Sequence, residues 1–182
     1  LKGSLVGKGY QFGPRSDTET ILHLYEEFGL DCVNYLQGMF SFAVYEIPKR
    51  KLYFARDRIG EKPLYYGWQG DSFLFASELK ALKKHPAFKA EISREAVCLF
   101  LRYNNIPAPY SIFTGIRKLE PGCLLTLSRT QPKPKISKYW SAVDQIKKGI
   151  ASPFSGTPLE AVDKLEMLSK DAIKQQMVAD VP

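Results

Sequence analysis

The sequence has few of the residues that build metal sites and disulfide frameworks. Its 182 residues include three cysteines and two histidines, and no two cysteines form a C-x-x-C pair. This spacing argues against a zinc site and against a disulfide scaffold, so we predict no metal site. Unpaired cysteines are typical of reducing compartments, and we therefore expect a cytoplasmic protein.

Long apolar runs are also missing. No stretch approaches the roughly 20 apolar residues that cross a bilayer, so we expect no membrane partner. The charge balance is basic, with 26 Lys and Arg against 19 Asp and Glu and a formal net charge of +7. These basic residues are scattered and accompany no stacking platform of a nucleic-acid module, so solvated positive faces explain them and we expect no nucleic-acid partner.

The residues that are present suit a globular protein with much β structure. Hydrophobic residues make up 45%, aromatic residues 13% and charged residues 25% of the chain. A chain of this length holds one core, or one domain and part of a second. We expect the second arrangement.

Helix signals occur at several places along the chain. Ser16-Asp17-Thr18-Glu19 has the form of a capping box, which predicts a helix that begins after Ser16 and runs to Phe28. A short helix is predicted over about 31–36, and Ser93 is expected to cap a helix that runs to about Tyr103.

Between Met39 and Ser77 the hydrophobic period changes to two. Turn clusters divide this stretch into four short segments, which predict an antiparallel meander because their connections are too short for parallel crossovers. The first two strands are apolar on both faces. We therefore expect a sheet with a helix over one face and a second sheet over the other.

The remaining chain predicts the domain boundaries. Strands are expected over 112–119 and 122–128, which places the end of the first domain near 130. Residues 131–156 are predicted to be a linker, since Gln131-Pro132-Lys133-Pro134 has the composition of an exposed turn. Thr157-Pro158-Leu159-Glu160 is a second capping box, opening a helix to about Val178 in a further domain over 157–182. The apolar face of this helix has no predicted cover within the chain, so we expect association or a disordered tail.

Asp17 is the first candidate site residue. A carboxylate in the first turn of a helix is stabilised by the helix dipole by about 0.3 to 1 kcal/mol, and such an anion could hold a ligand ammonium group. The alternative is that Asp17 only improves the start of the helix. Both interpretations fit the local sequence.

Cysteines and a charged cluster are the other candidates. Cys32, Cys98 and Cys123 have no His or Asn nearby in sequence, which favours structural roles over catalysis. The cluster formed by Arg56-Asp57-Arg58 and Glu61-Lys62-Pro63 could brace a loop or bind an anion. No glycine-rich phosphate loop is found, so no ATP-binding residue is predicted in this chain.

A series of short motifs spans nearly the whole chain: Ser16-Asp17-Thr18-Glu19, Gly38-Met39-Phe40, Ala55-Arg56-Asp57-Arg58, Gly60-Glu61-Lys62-Pro63-Leu64-Tyr65-Tyr66, Phe75-Ala76-Ser77-Glu78-Leu79-Lys80, Ile112-Phe113-x-Gly115-Ile116-x-Lys118-Leu119-x-Pro121-Gly122 and Tyr139-Trp140. Their order resembles the glutamine-hydrolysing asparagine synthetases, which are class II glutamine amidotransferases. The resemblance implies an internal fragment of such an enzyme.

The implied fold class is α+β: an N-terminal-nucleophile hydrolase-like α/β/β/α sandwich of antiparallel sheets, then the start of an α/β ATP-pyrophosphatase-type synthetase domain. Residues 1–130 would belong to the glutaminase domain. Asp17 matches the family aspartate that binds the α-amino group of glutamine. The resemblance implies no catalytic residue in this chain, since the cysteine nucleophile is expected upstream of Leu1.

The implied reaction is hydrolysis of glutamine to glutamate and ammonia, followed by amidation of an ATP-activated aspartate. ATP and Mg would be cofactors of the parent enzyme and not of this fragment, which we expect to be inactive alone. Two alternatives remain open: a sugar acid or another carboxylate as the acceptor, or a non-catalytic interaction or scaffold domain. A homodimer is also left open.

Overall fold

The computed structural model describes residues 1–13 and 17–177. The chain divides into two compact units, 1–140 and 141–182. The described helices are α1 (Lys2–Val6), α2 (Asp17–Phe28), α3 (Leu79–Leu82), α4 (Arg94–Tyr103), α5 (Ala142–Ala151) and α6 (Pro158–Gln176), with a 3-10 helix over Gly29–Asn34. The described strands are β1 (Ser41–Glu46), β2 (Lys51–Arg56), β3 (Tyr65–Gln69), β4 (Ser72–Ala76), β5 (Ile116–Lys118), β6 (Cys123–Ser128) and β7 (Gln131–Lys138).

The strands form two antiparallel sheets in the first unit. The first sheet has the order β1-β2-β6-β7 and the second has the order β4-β3-β5. On β2, Phe54 lies in the cluster that joins the sheets, together with Leu125 and Tyr66. The adjacent Ala55 lies in the cluster beneath α2, with Leu24.

Alternation along β2 therefore gives this sheet a helical cover on one face and the second sheet on the other, as the apolar pattern predicted. The outer face of the second sheet packs Leu74 and Ile116 against Leu82 of α3. The result is the predicted α/β/β/α layering.

One part of the β prediction is wrong. Residues 39–77 do form four strands in two antiparallel hairpins, but these strands do not form one continuous meander. β2 pairs with β6 and β3 pairs with β5, so the two hairpins belong to different sheets. The segment between β2 and β3 carries the chain from one sheet to the other.

The predicted linker also needs correction. Residues 131–138 form strand β7, which pairs with β6 and is an edge strand of the first sheet. Pro132 and Pro134 have no N–H to donate, and proline is tolerated at a sheet edge because only one side of the strand is paired. The first unit consequently extends to Trp140, ten residues beyond the predicted boundary near 130.

The helix predictions are mostly confirmed. α2 ends at Phe28 as expected, and Gly29 follows with φ +59°. Ser93 caps α4, since its Oγ accepts the Ala96 N–H at 3.3 Å. The predicted cap Ser16 lies outside the described residues. The predicted helix over 31–36 is instead the 3-10 helix, which begins two residues earlier.

The second unit contains α5 and α6. Thr157 caps α6: its Oγ1 accepts the Glu160 N–H at 3.3 Å, and the Thr157 N–H donates to the Glu160 carboxylate at 2.7 Å. This is the predicted capping box. On the apolar face of α6, Leu159 and Leu165 are 71% and 66% exposed. The predicted strand start after Val178 lies outside the described residues.

Candidate functional site

A cavity of about 510 Å³ lies beside the first turn of α2. Asp17 contributes to its wall from α2, together with Thr20 one turn later. The opposite wall is the segment that leaves the 3-10 helix and enters β1. Its contributors are Tyr35, Leu36, Gln37, Met39 and Phe40. A volume of this size suits a small molecule of amino-acid dimensions.

The lining combines one charge with several neutral groups. Asp17 is the only charged side chain among the described lining residues, and Thr20, Tyr35 and Gln37 supply neutral polar atoms. Within residues 1–13 and 17–177, the Asp17 carboxylate has no hydrogen-bond or ion-pair partner. A carboxylate in this position, at the positive end of a helix, is suited to receive a ligand ammonium group.

Cavity volume alone does not identify the site. Two further cavities of about 470 and 490 Å³ lie at the other end of β1. The first contains Glu46, but that carboxylate already accepts hydrogen bonds from Tyr25 at 3.0 Å and from Lys49 at 2.7 Å. The Lys49 ammonium, followed by the Tyr25 hydroxyl, lowers the pKa of Glu46. The second contains Arg50 and Arg129 but no acid. Asp17 therefore differs from Glu46 in that its carboxylate has no partner among the residues that the structure describes.

Local packing positions the two walls. Leu24 is buried beneath α2 and fixes the helix on the first sheet. On the opposite wall, Leu36 and Phe40 are both buried in the same cluster. Gly38 lies between them with φ +81°, a backbone conformation that favours glycine. The segment can therefore turn sharply while both flanking side chains remain in the core.

The charged cluster after β2 braces the backbone. Buried Asp57 accepts four backbone N–H groups: Oδ1 from Ile59, Gly60 and Glu61, and Oδ2 from Lys62. The Arg56 guanidinium donates to the carbonyls of Gly60, Lys62 and Leu119. The predicted loop-bracing role is confirmed, because the hydrogen-bonding groups of Arg56 and Asp57 bind backbone groups of the protein.

Two of the three cysteines are buried, in agreement with structural roles. Cys32 and Cys123 are buried, and Cys98 is exposed on α4. Burial raises the pKa of Cys32 to about 11, and burial also raises that of Cys123. A raised pKa keeps a thiol protonated and unreactive near neutral pH.

No residue in the described part of the chain offers a metal site. Groups of three or more His, Cys, Asp or Glu side chains that could hold a metal ion are not found there. His23 instead packs between the rings of Tyr10 and Phe12. Within the same residues, no helix has both the length and the apolar character needed to cross a membrane.

Several lining residues were not found by sequence reasoning. Tyr35 and Gln37 are exposed polar residues in a segment without a motif of their own, and Thr20 lies on a helix face that predicts packing only. The available signal was Gly38-Met39-Phe40, which was used for the family resemblance but not for the site.

Comparison with known proteins gives a consistent assignment. A family model described as a glutamine amidotransferase domain matches residues 1–140. Asparagine synthetase (glutamine-hydrolyzing) 3 of Bacillus subtilis is 38% identical over 100% of this chain and 28% of that protein. A putative asparagine synthetase (glutamine-hydrolyzing) 2 of Methanocaldococcus jannaschii is 35% identical over 92% of this chain and 32% of that protein. The chain thus spans about a third or less of the length of these relatives.

A solved structure supports the fold. Glutamine phosphoribosylpyrophosphate amidotransferase from B. subtilis, complexed with ADP and GMP, matches with a TM-score of 0.50 and 23% identity, covering 76% of this chain and 26% of that one. At this identity the likeness concerns the fold alone, and it agrees with the expected sandwich of antiparallel sheets. The family-model match over residues 1–140, more than half of the chain, shows that the chain belongs to the glutamine amidotransferase domain family.

Proposed function

We propose that this chain is part of a glutamine-dependent asparagine synthetase. The sandwich would hold glutamine for hydrolysis to glutamate and ammonia, and the ammonia would amidate an ATP-activated aspartate in a synthetase domain. In this proposal α6 is the first helix of that domain, and the cysteine nucleophile precedes Leu1 in the full-length protein. ATP and Mg belong to the synthetase part, and the enzyme acts in the cytoplasm.

The observation that carries the proposal is the Asp17 carboxylate, which has no partner within 1–13 and 17–177 and lies in a cavity of amino-acid size. The glutamine α-ammonium group would meet this charge. The apolar wall formed by Leu36, Met39 and Phe40 would contact the aliphatic part of the substrate.

Substitution of Asp17 tests the proposal in the full-length protein that contains this chain. Asp17→Asn keeps the size of the side chain and removes its charge. Glutamine-dependent activity is expected to fall about ten- to a hundredfold, which corresponds to the roughly 1.5 to 3 kcal/mol of a hydrogen bond to a charged group. Activity with free ammonia should be retained, because ammonia bypasses the glutamine cavity.

The matched control is Asp31→Asn, which removes an exposed acid of the 3-10 helix that is not among the lining residues of the cavity. This variant should keep both activities. If Asp17→Asn lost both activities together, Asp17 would only stabilise the helix and the binding role would be withdrawn.

Acceptor choice needs a separate test. A sugar acid or another carboxylate is the alternative to aspartate. AMP formation measured with aspartate and with galacturonate as acceptors distinguishes them. A protein that forms no AMP with either acceptor and does not hydrolyse glutamine would support the third hypothesis, a non-catalytic interaction domain.

A further inference from the structure

We propose that Arg58 is a positioning residue for the cavity beside α2. This inference rests on the proposed glutamine site and adds a residue that does not line the cavity itself. The Arg58 Nη1 group donates to the carbonyl of Leu36 at 2.7 Å, and Nη2 lies 3.5 Å from the carbonyl of Asn34. Both acceptors lie at the end of the 3-10 helix.

The two ends of the cavity wall are held in different ways. At the far end, the Asp57 N–H donates to the carbonyl of Phe40 at 2.9 Å. At the near end, the bond from Arg58 to Leu36 is the side-chain contact that fixes the backbone. Between these points Gln37, Gly38 and Met39 are exposed. Hydrogen bonds from Arg58 and from the Asp57 N–H therefore hold the two ends of this backbone, and those from Arg58 can be removed by substitution.

Arg58 is itself held by the braced segment after β2. Asp57, its neighbour, is fixed by four backbone N–H bonds on one side of the chain and by the bond from Gly122 N–H to its carbonyl at 2.9 Å. A guanidinium group that starts from a rigid backbone loses little conformational freedom on binding two carbonyls. The cavity wall thereby takes its position from the loop that connects the two sheets.

Loss of Arg58 should change the cavity without unfolding the sandwich. Leu36 and Phe40 remain anchored in the core by their own side chains, each only 8% exposed. The backbone between them would then sample several orientations, and binding would select one of them. A fractionally populated competent state weakens apparent affinity in proportion to its population.

Kinetics of the full-length protein provide the first test. Arg58→Ala is expected to raise KM for glutamine about tenfold while kcat changes by less than a factor of about three. Guanidinium ion at low millimolar concentration should restore KM, and Arg58→Lys should give an intermediate value because lysine donates from a single point. Arg129→Ala is the control, since this exposed arginine of the β6-β7 turn has no partner among residues 1–13 and 17–177. It should leave KM unchanged.

Hydrogen exchange provides a second test that does not need turnover. Peptides that cover residues 34–40 should exchange faster in Arg58→Ala, while peptides from β2 and β6 should keep their protection. Unchanged exchange in 34–40 would overturn the proposal, as would an unchanged KM in an active protein. If Arg58→Ala failed to fold, a folded Arg58→Lys with wild-type KM would also overturn it.

The two proposals fail in different ways. A wild-type protein that does not hydrolyse glutamine would overturn the proposed function, whereas faster exchange in 34–40 would still support Arg58 as the residue that positions this wall. An active wild-type protein with an unaffected Arg58→Ala variant would leave the proposed function standing and remove only the role of Arg58.

Discussion

Asp57 offers the sharpest test of the bracing network between the two sheets. Its side chain is 2% exposed and accepts four backbone N–H groups. Asp57→Asn changes one oxygen to NH₂ at almost constant volume. If the amide oxygen replaces Oδ1, the bonds from Ile59, Gly60 and Glu61 are retained, and the new NH₂ group meets the N–H of Lys62. The side-chain NH₂ group and the Lys62 N–H are then both donors, so the hydrogen bond between residues 57 and 62 is lost.

The expected loss of stability follows from the hydrogen bond between the Lys62 N–H and Asp57 Oδ2. A hydrogen bond to a charged group contributes roughly 1.5 to 3 kcal/mol, and the unpaired Lys62 N–H adds a desolvation cost of about 1 kcal/mol or more. We expect Asp57→Asn to lower the free energy of unfolding by about 3 kcal/mol. For a domain of this size, the melting temperature should fall by about 10 °C.

Urea unfolding of the chain, followed by far-UV circular dichroism, measures this free energy. Asp71→Asn is the matched control, because Asp71 is an exposed acid in the turn between β3 and β4. The control should change stability by less than about 0.5 kcal/mol. An equally small change in Asp57→Asn would refute the view that this carboxylate braces the loop.

Two further predictions concern packing and alkaline stability. A Cβ at Gly67 would lie 1.9 Å from the carbonyl oxygen of Gly115. Gly67→Ala should therefore break the β3-β5 pairing and yield insoluble protein on expression. Gly70→Ala is the control: a Cβ at Gly70 meets open space, and its φ of +60° should cost only about 1 kcal/mol of folding stability. The Tyr139 hydroxyl donates to the Arg56 carbonyl at 2.8 Å, and burial raises the pKa of Tyr139 to about 12. Since an unfolded tyrosine ionises near pH 10, the stabilisation is complete below pH 10 and is lost as pH rises to about 12. Tyr139→Phe should lower the free energy of unfolding by about 1 kcal/mol at pH 7. Thermal melts between pH 10 and 12 should show a weaker pH dependence of stability in this variant. An unchanged pH dependence would contradict the view that Tyr139 ionisation destabilises the fold.

Local signals determined much of the fold. Capping residues at Ser93 and Thr157 correctly placed the starts of α4 and α6, because a cap acts on backbone groups within four residues. Period-two patterns located β1 to β4, since alternation is a property of each strand by itself. The doubly apolar β2 even indicated what covers each face.

Family motifs carried the functional part of the sequence analysis. They pointed to Asp17 as a candidate ammonium site and to glutamine hydrolysis as the expected reaction. The local pattern at Asp17 could not do this, because a helix cap and an ammonium site require the same carboxylate. Clustering of charge near a strand end allowed either loop bracing or anion binding for Arg56-Asp57-Arg58, and the hydrogen bonds of Arg56 and Asp57 show that these two residues brace the loop.

Tertiary structure decided what depends on partners distant in sequence. The proline-containing segment over 131–138 has the composition of a linker and becomes strand β7 only because β6 offers a free edge. The two hairpins enter different sheets because Asp57 and Arg56 hold the connecting loop in a fixed turn. The cavity likewise exists only where the start of α2 meets the segment that Arg58 fixes at Leu36, a contact between residues 22 positions apart that no local pattern encodes.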